Sequence, residues 1–149
     1  MEASKLIVES LLPMLEIDLI NEWLKELALS AGIPHLKLDA HRLCALKYAN
    51  KLDFVIELPD NSPLVYMYSP LINLSEVANP LPLYDRILKA NFFCLDTRGA
   101  TFAIDERNNR VILSYGHLID ELDSQKFQRI VGNFLETAFD WLDKLTHAQ

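Results

Sequence analysis

Asn79-Pro80-Leu81-Pro82-Leu83-Tyr84-Asp85-Arg86-Ile87-Leu88-Lys89-Ala90-Asn91-Phe92-Phe93 is the stretch on which the fold turns. Asn79 can cap a helix with its side-chain oxygen, and Pro80 gives up only an N–H that the first turn leaves unpaired. A helix is therefore predicted to start here and to end near Cys94. Winding at roughly 100° per residue puts Leu81, Tyr84, Leu88 and Phe92 on one stripe and Leu83, Ile87 and Ala90 on an adjoining one. Only Asp85, Arg86 and Lys89 mark a polar face. The apolar arc is roughly 200° wide, where one core contact uses little more than 100°. One stripe is expected to meet a further surface, and a second chain is favoured over a further helix as its cover.

Upstream, the period is two. Leu36 and Leu38 alternate with Lys37 and Asp39, and Leu43, Ala45 and Lys47 with Cys44, Leu46 and Tyr48. Leu52, Phe54, Ile56 and Leu58 alternate with Asp53, Val55 and Glu57. Three antiparallel strands are predicted, with breakers at Ala40-His41 and Asn50-Lys51 and a stop at residues 59–63. Residues 64–68 form a fourth extended run, apolar on both faces, that reads as a strand buried on both sides. Before the strands, Ile20, Trp23, Leu24, Leu27 and Ala28 recur at helical spacing between Ile17 and Ala31; Gly32 suits a left-handed cap and Pro34 stops the chain. Residues 1–16 hold Leu6, Ile7, Val8, Leu11, Leu12, Met14 and Leu15 on no single face, and Pro13 interrupts them. They read as an apolar arm or a short helix.

Downstream, Thr101–Asp105 and Arg110–Tyr115 form a predicted hairpin around residues 106–109, where asparagine tolerates positive φ. Ser124 reads as the cap of a last helix carrying Phe127, Ile130, Val131, Phe134, Ala138, Trp141, Leu142 and Leu145 on one arc. The order is helix, three or four strands, helix, hairpin, helix. Connections too short for parallel crossovers make this an α+β fold, an antiparallel sheet with helices on one face, in one domain spanning residues 1–149.

Composition bounds the function. The 149 residues carry a net charge of −7 and no basic cluster, which disfavours nucleic acid. Cys44 and Cys94 make neither a disulfide framework nor a zinc site, so reduced thiols are expected. No signal peptide and no membrane-length apolar run is read, and a soluble cytoplasmic protein is expected. Phosphate loops, metal-ligand motifs and nucleophile elbows are missing from the sequence, and no cofactor is expected. His35, Asp39, His41 and Cys44 are the one local concentration of catalytic residue types. Ordinary surface chemistry is the plainer account, with a small enzyme or ligand-binding domain using the His35–Cys44 region as the alternative.

Taken together, the chain from Ile17 to Leu145 resembles the class I chaperones of bacterial type III secretion, the Tir-chaperone or CesT-like group. The resemblance is carried by Ile87-Leu88 with Ala90-Asn91, then Thr97 and Gly99, Asp105, Val111-Ile112-Leu113, and finally Phe134, Ala138 and Trp141. It implies three main helices on a strongly twisted antiparallel sheet, a homodimer, and neither catalysis nor cofactor. It also implies that the chain binds the N-terminal chaperone-binding segment of a secreted effector and keeps it competent for the export ATPase. The family's dimer helix maps onto Leu81, Tyr84, Leu88 and Phe92, or onto the adjoining Leu83 and Ile87. Apolar positions on the first helix and sheet, Leu19, Trp23, Leu36 and Leu38, are the candidate effector contacts. Residues 1–16 extend beyond the usual N-terminus of the group, and residues 94–99 hold less glycine than its turn there.

Overall fold

A computed structural model describes residues 2–147, except for the side chains of residues 6–14. Helix α1 (Glu2–Ala31) leads into strands β1 (Leu43–Tyr48), β2 (Leu52–Glu57) and β3 (Leu64–Asn73). Helix α2 (Leu81–Ala90), the hairpin β4 (Thr101–Asp105) and β5 (Arg110–Leu118), and helix α3 (Ser124–His147) follow. The five strands form one antiparallel sheet in the order β1-β2-β3-β5-β4. The α+β class and the order of elements are as the sequence implies.

Alternation builds the core. Leu52, Phe54 and Ile56 of β2, Val65, Met67 and Leu71 of β3, and Val111 and Leu113 of β5 point to one side and are buried. Helix α3 lies on that side, with Phe134 against Phe54 at 5.7 Å between ring centroids, and Trp141 meeting Phe102 of β4 edge-on at 5.0 Å. Helix α1 packs on α3 through Trp23 and Phe127, 5.4 Å apart. Burying aromatic and branched side chains on this scale is the main stabilising term, at about 1.5–3 kcal/mol for each fully buried large aliphatic or phenyl group.

Four local expectations change. Helix α1 runs without interruption through Pro13, so residues 1–16 are neither a separate arm nor a short helix from residue 2 onward. Proline removes one intrahelical hydrogen bond but fixes φ near the helical value, and the turns on either side carry the helix across it. The side chains expected to define that segment's apolar character, Leu6 to Met14, lie outside the described ones.

Residues 36–39 form no strand. The Leu38 N–H donates to Asn21 Oδ1 of α1 at 2.8 Å, and Asp39 Oδ1 accepts from the N–H groups of His41 and Leu43 at 2.8 and 3.0 Å. Side chains satisfy backbone that a ladder would otherwise have paired.

Strand β3 is longer than predicted and buried on one face only, since Leu64, Tyr66, Tyr68, Pro70 and Ile72 are half-exposed. Tyrosine suits such a surface, with an apolar ring and a wet hydroxyl. At the start of α3 the cap is Asp123 rather than Ser124: its Oδ1 accepts from Lys126 N–H at 2.7 Å and its carbonyl from Phe127 N–H at 2.9 Å. Gly32 takes the left-handed cap position at φ 66°, and Asn109 the positive φ of the β4–β5 turn at 50°, both as expected.

Candidate protein-binding site

Helix α2 separates its two apolar stripes. Asn79 Oδ1 accepts from the Leu81 N–H at 3.3 Å, but the first helical bond runs from Tyr84 N–H to the Pro80 carbonyl at 2.9 Å, so Pro80 rather than Asn79 is the cap residue and the helix starts one position later than the sequence implies. Leu83, Ile87 and Ala90 are buried in the chain's own core. Leu81 is 68% exposed and Leu88 69%, with Tyr84 half-buried between them. Of the six residues expected at a dimer interface, Leu83 and Ile87 are therefore occupied inside the protomer. Leu81, Leu88 and Phe92 face outward.

The helix stops at Ala90, earlier than the predicted Cys94, because Asn91 turns its amide onto β4. Its Nδ2 donates to the Phe102 carbonyl at 3.1 Å and its Oδ1 accepts from the Phe102 N–H at 2.8 Å. Phe93 and Cys94 then adopt φ of 54° and 52°, a left-handed conformation that costs a residue with a Cβ of order 1–3 kcal/mol and persists only where its surroundings enforce it. The enforcing contacts are visible. Gly99 N–H bonds to the Cys94 carbonyl at 2.9 Å, Trp141 Nε1 donates to the Asp96 carbonyl at 3.0 Å, and Arg98 reaches Asp140 of α3 at 3.4 Å. This turn adds two apolar side chains to the outward Phe92: Phe93, its ring tilted against that of Phe92 at 4.2 Å between centroids, and Leu95. Phe93 and Leu95 escape the sequence reading because no glycine announces a left-handed residue at 93 or 94.

The other predicted binding residues divide in the same way. Trp23 and Leu38 are core residues, at 5% and 6% exposure. Leu19 is exposed, and Leu36 is half-buried on the segment that the Asn21–Leu38 hydrogen bond ties to α1. No single patch brings Leu19, Trp23, Leu36 and Leu38 together at the surface.

The His35–Cys44 region is an irregular segment that turns at Ala40-His41 and runs into β1. Asp39 is engaged with backbone N–H groups, His35 and His41 are exposed, and Cys44 is buried. Burial, and secondarily the Asp39 charge, push the Cys44 thiol above its ordinary range, so it stays protonated and a poor nucleophile at neutral pH. No three His, Cys, Asp or Glu side chains among the described residues are grouped to hold a metal. No helix among them is long and apolar enough to cross a membrane.

A small antiparallel sheet with helices on one side, whose conspicuous surface features are uncovered apolar side chains, belongs to the class of protein-binding modules. The chain belongs to the Tir chaperone protein (CesT) family, whose model matches residues 22–142, and it is accordingly a non-enzymatic type III secretion chaperone. Among curated proteins none matches it. Among solved structures, a chain of the ExsC–ExsE complex superposes with a TM-score of 0.73 at 19% identity, covering 85% of this chain and 93% of that one. A chain of the HopA1–SchA chaperone–effector complex gives 0.71 at 15% identity, covering 87% and 97%. A chain of the heterodimeric ExoU–SpcU complex from the type III secretion system of Pseudomonas aeruginosa gives 0.61 at 16%, covering 85% and 93%. At these identities the likeness concerns the fold.

Proposed function

We propose that the protein works in the bacterial cytoplasm as a homodimer, binds the N-terminal chaperone-binding segment of a secreted effector in extended form, and hands it to the export ATPase. Residues 1–149 act as one domain in this reading. The observation that carries it is the outward row of Leu81, Leu88, Phe92, Phe93 and Leu95 on a chain of the Tir chaperone family. Exposed apolar side chains in such concentration mark a protein–protein surface, and a two-fold axis beside α2 would cover the row with its own copy. Leu81, Leu88 and Phe92, with Tyr84 at the rim, are the interface residues of this proposal; Leu83 and Ile87 support them from beneath.

Effector contacts are placed on the surface around α1 and the segment leading to β1, with Leu19 and Leu36 as direct contacts and Trp23 and Leu38 as the packing that holds them. Ordering a long segment along a preformed surface draws its free energy from buried area and backbone hydrogen bonds, so no nucleotide is required. The test is limited proteolysis of the co-encoded effector. The purified protein should shield an N-terminal segment of it, and unchanged cleavage at saturating protein would refute the reading.

A further inference from the structure

Four of the seven residues from Phe93 to Gly99 have positive φ, and three of them, Phe93, Cys94 and Arg98, carry a Cβ. Residues with a Cβ keep a left-handed backbone only under restraint. Among the described residues, two side-chain ties bind this turn to α3, and they differ in kind. One is neutral: Trp141, buried against Phe102, donates its Nε1–H to the Asp96 carbonyl at 3.0 Å. The other is ionic. Arg98 spreads its fork over one face of α3, Nη2 to Asp140 Oδ2 and Nη1 to Thr137 Oγ1, each at 3.4 Å, with Glu136 at 4.0 Å. The Thr137 hydroxyl donates to the Asn133 carbonyl at 2.8 Å, so it meets Arg98 with its lone pairs.

The ionic tie reaches the strained residues through backbone. Arg98 N–H bonds to the Leu95 carbonyl at 3.3 Å and Gly99 N–H to the Cys94 carbonyl at 2.9 Å, so moving Arg98 opens the loop that starts at Cys94. Phe93 and Leu95 ride on that loop, and both are exposed. With Arg98 and Asp140 about half in solvent, their pair is weak and within reach of added salt, whereas the Trp141 bond is indifferent to it.

We propose that Arg98 is the positioning residue of the outward row: it clamps the strained turn so that Phe93 and Leu95 meet a second copy, and it releases them as ionic strength rises. This rests on the homodimer reading above and deepens it by naming what sets the interface. The row itself carries no charge, which lets two acidic copies approach there. It also fixes the sign of the salt effect. Two copies of net charge −7 ordinarily associate more tightly as salt screens their repulsion. Here association weakens.

Timed alkylation with iodoacetamide, a neutral reagent, reads the turn without reference to association. The Cys94 thiol lies beside the Thr101 hydroxyl at 3.7 Å and is uncovered when the turn opens, while buried Cys44 reports global unfolding in the same molecule. The background is Leu88→Glu, which removes association through the row. Raising sodium chloride from about 0.1 M to about 1 M shortens the screening length from about 10 Å to about 3 Å. Cys94 labelling should then speed up roughly fivefold and Cys44 stay unlabelled. Adding Arg98→Ala should give the fast rate at both salts.

Sedimentation equilibrium of the unmodified chain should show the dimer dissociation constant rising roughly tenfold over the same range, since each dimer holds two clamps. Arg98→Ala should weaken association by about tenfold at low salt and let it tighten as salt rises. Cys94→Gly added to Arg98→Ala should recover most of that loss, because glycine takes a positive φ without restraint. Cys94 labelling indifferent to salt and to Arg98→Ala overturns the clamp, and so does Cys44 labelling in step with Cys94. Dimers indifferent to both, with Cys94 behaving as expected, overturn the positioning role. A chain that is monomeric at every salt removes the homodimer reading and the positioning role with it, while the Cys94 rates still decide the clamp.

Discussion

Tyr66 of β3 lies flat over Gly116, its direct cross-strand partner on β5: a Cβ built at 116 would stand 2.7 Å from a ring carbon of Tyr66. The glycine is there for the ring, and the ring covers backbone that would otherwise be exposed. Gly116→Ala should cost about 1–3 kcal/mol through displacement of Tyr66. In a denaturant double-mutant cycle with Tyr66→Ala, the two losses should be clearly non-additive. Additive losses would show that the contact is incidental.

Leu88→Glu should leave the fold intact, because the side chain is already in solvent, and should convert dimers to monomers. Ile87→Glu, one residue away, puts an unpaired charge into the core and should abolish folding. Sedimentation velocity beside far-ultraviolet circular dichroism separates these outcomes; a stable Leu88→Glu dimer would move the proposed interface off this helix.

How far these features are legible in sequence differs by element. The two stripes of α2 are readable from spacing, but spacing cannot say which is inside; that is decided by where Asn79 and Asn91 clamp the helix ends, and Asn91 acts through residue 102, eleven positions away. Helix α3 and the β4–β5 hairpin are legible because local pattern and tertiary packing agree there. The segment at 36–39 misleads because alternation reports which side chains are apolar, not whether the backbone finds a ladder, and Asn21 and Asp39 take those hydrogen bonds. The outward turn at Phe93 is illegible for a related reason: its positive φ is imposed by α3, through Trp141 and Arg98, on residues that would not choose it.

Trp23→Ala should destabilise by about 3–5 kcal/mol as a core truncation, weakening effector binding only through the folded population. Leu19→Glu should leave the melting temperature nearly unchanged and reduce effector affinity directly. Thermal denaturation paired with titration of the effector segment distinguishes the two; equal loss of affinity per folded molecule would mean that Trp23 is itself a contact.

Asp105 accepts from Asn108 Nδ2 and from Arg110 Nε, each at 2.8 Å, and these bonds, the Asn108 one foremost, hold its carboxyl below the ordinary carboxylate range. A folded pKa below the unfolded one adds stability that is complete above about pH 4 and is lost as pH falls through the folded value. Asp105→Asn should therefore flatten the acid limb of the melting-temperature profile and leave its slope near neutral pH unchanged. An unchanged acid limb would dismiss this contribution.

Cys94 should react with a thiol reagent in the native protein, whereas Cys44 should label only after unfolding, given its burial and raised pKa. Mass spectrometry of peptides after timed alkylation reads both sites. Fast native labelling of Cys44 would revive a chemical role for the turn at 39–44.

Helix α1 crosses the point where the family match begins, at residue 22, as one unbroken element from residue 2. Its first five turns are thus geared to the domain. Each residue inserted into it would turn everything upstream by about 100° and advance it about 1.5 Å, whereas seven would restore the facing to within roughly 20°. The extension consequently has a compass bearing relative to Trp23, and insertion length is a dial by which any role it plays can be switched off and recovered without altering one of its side chains.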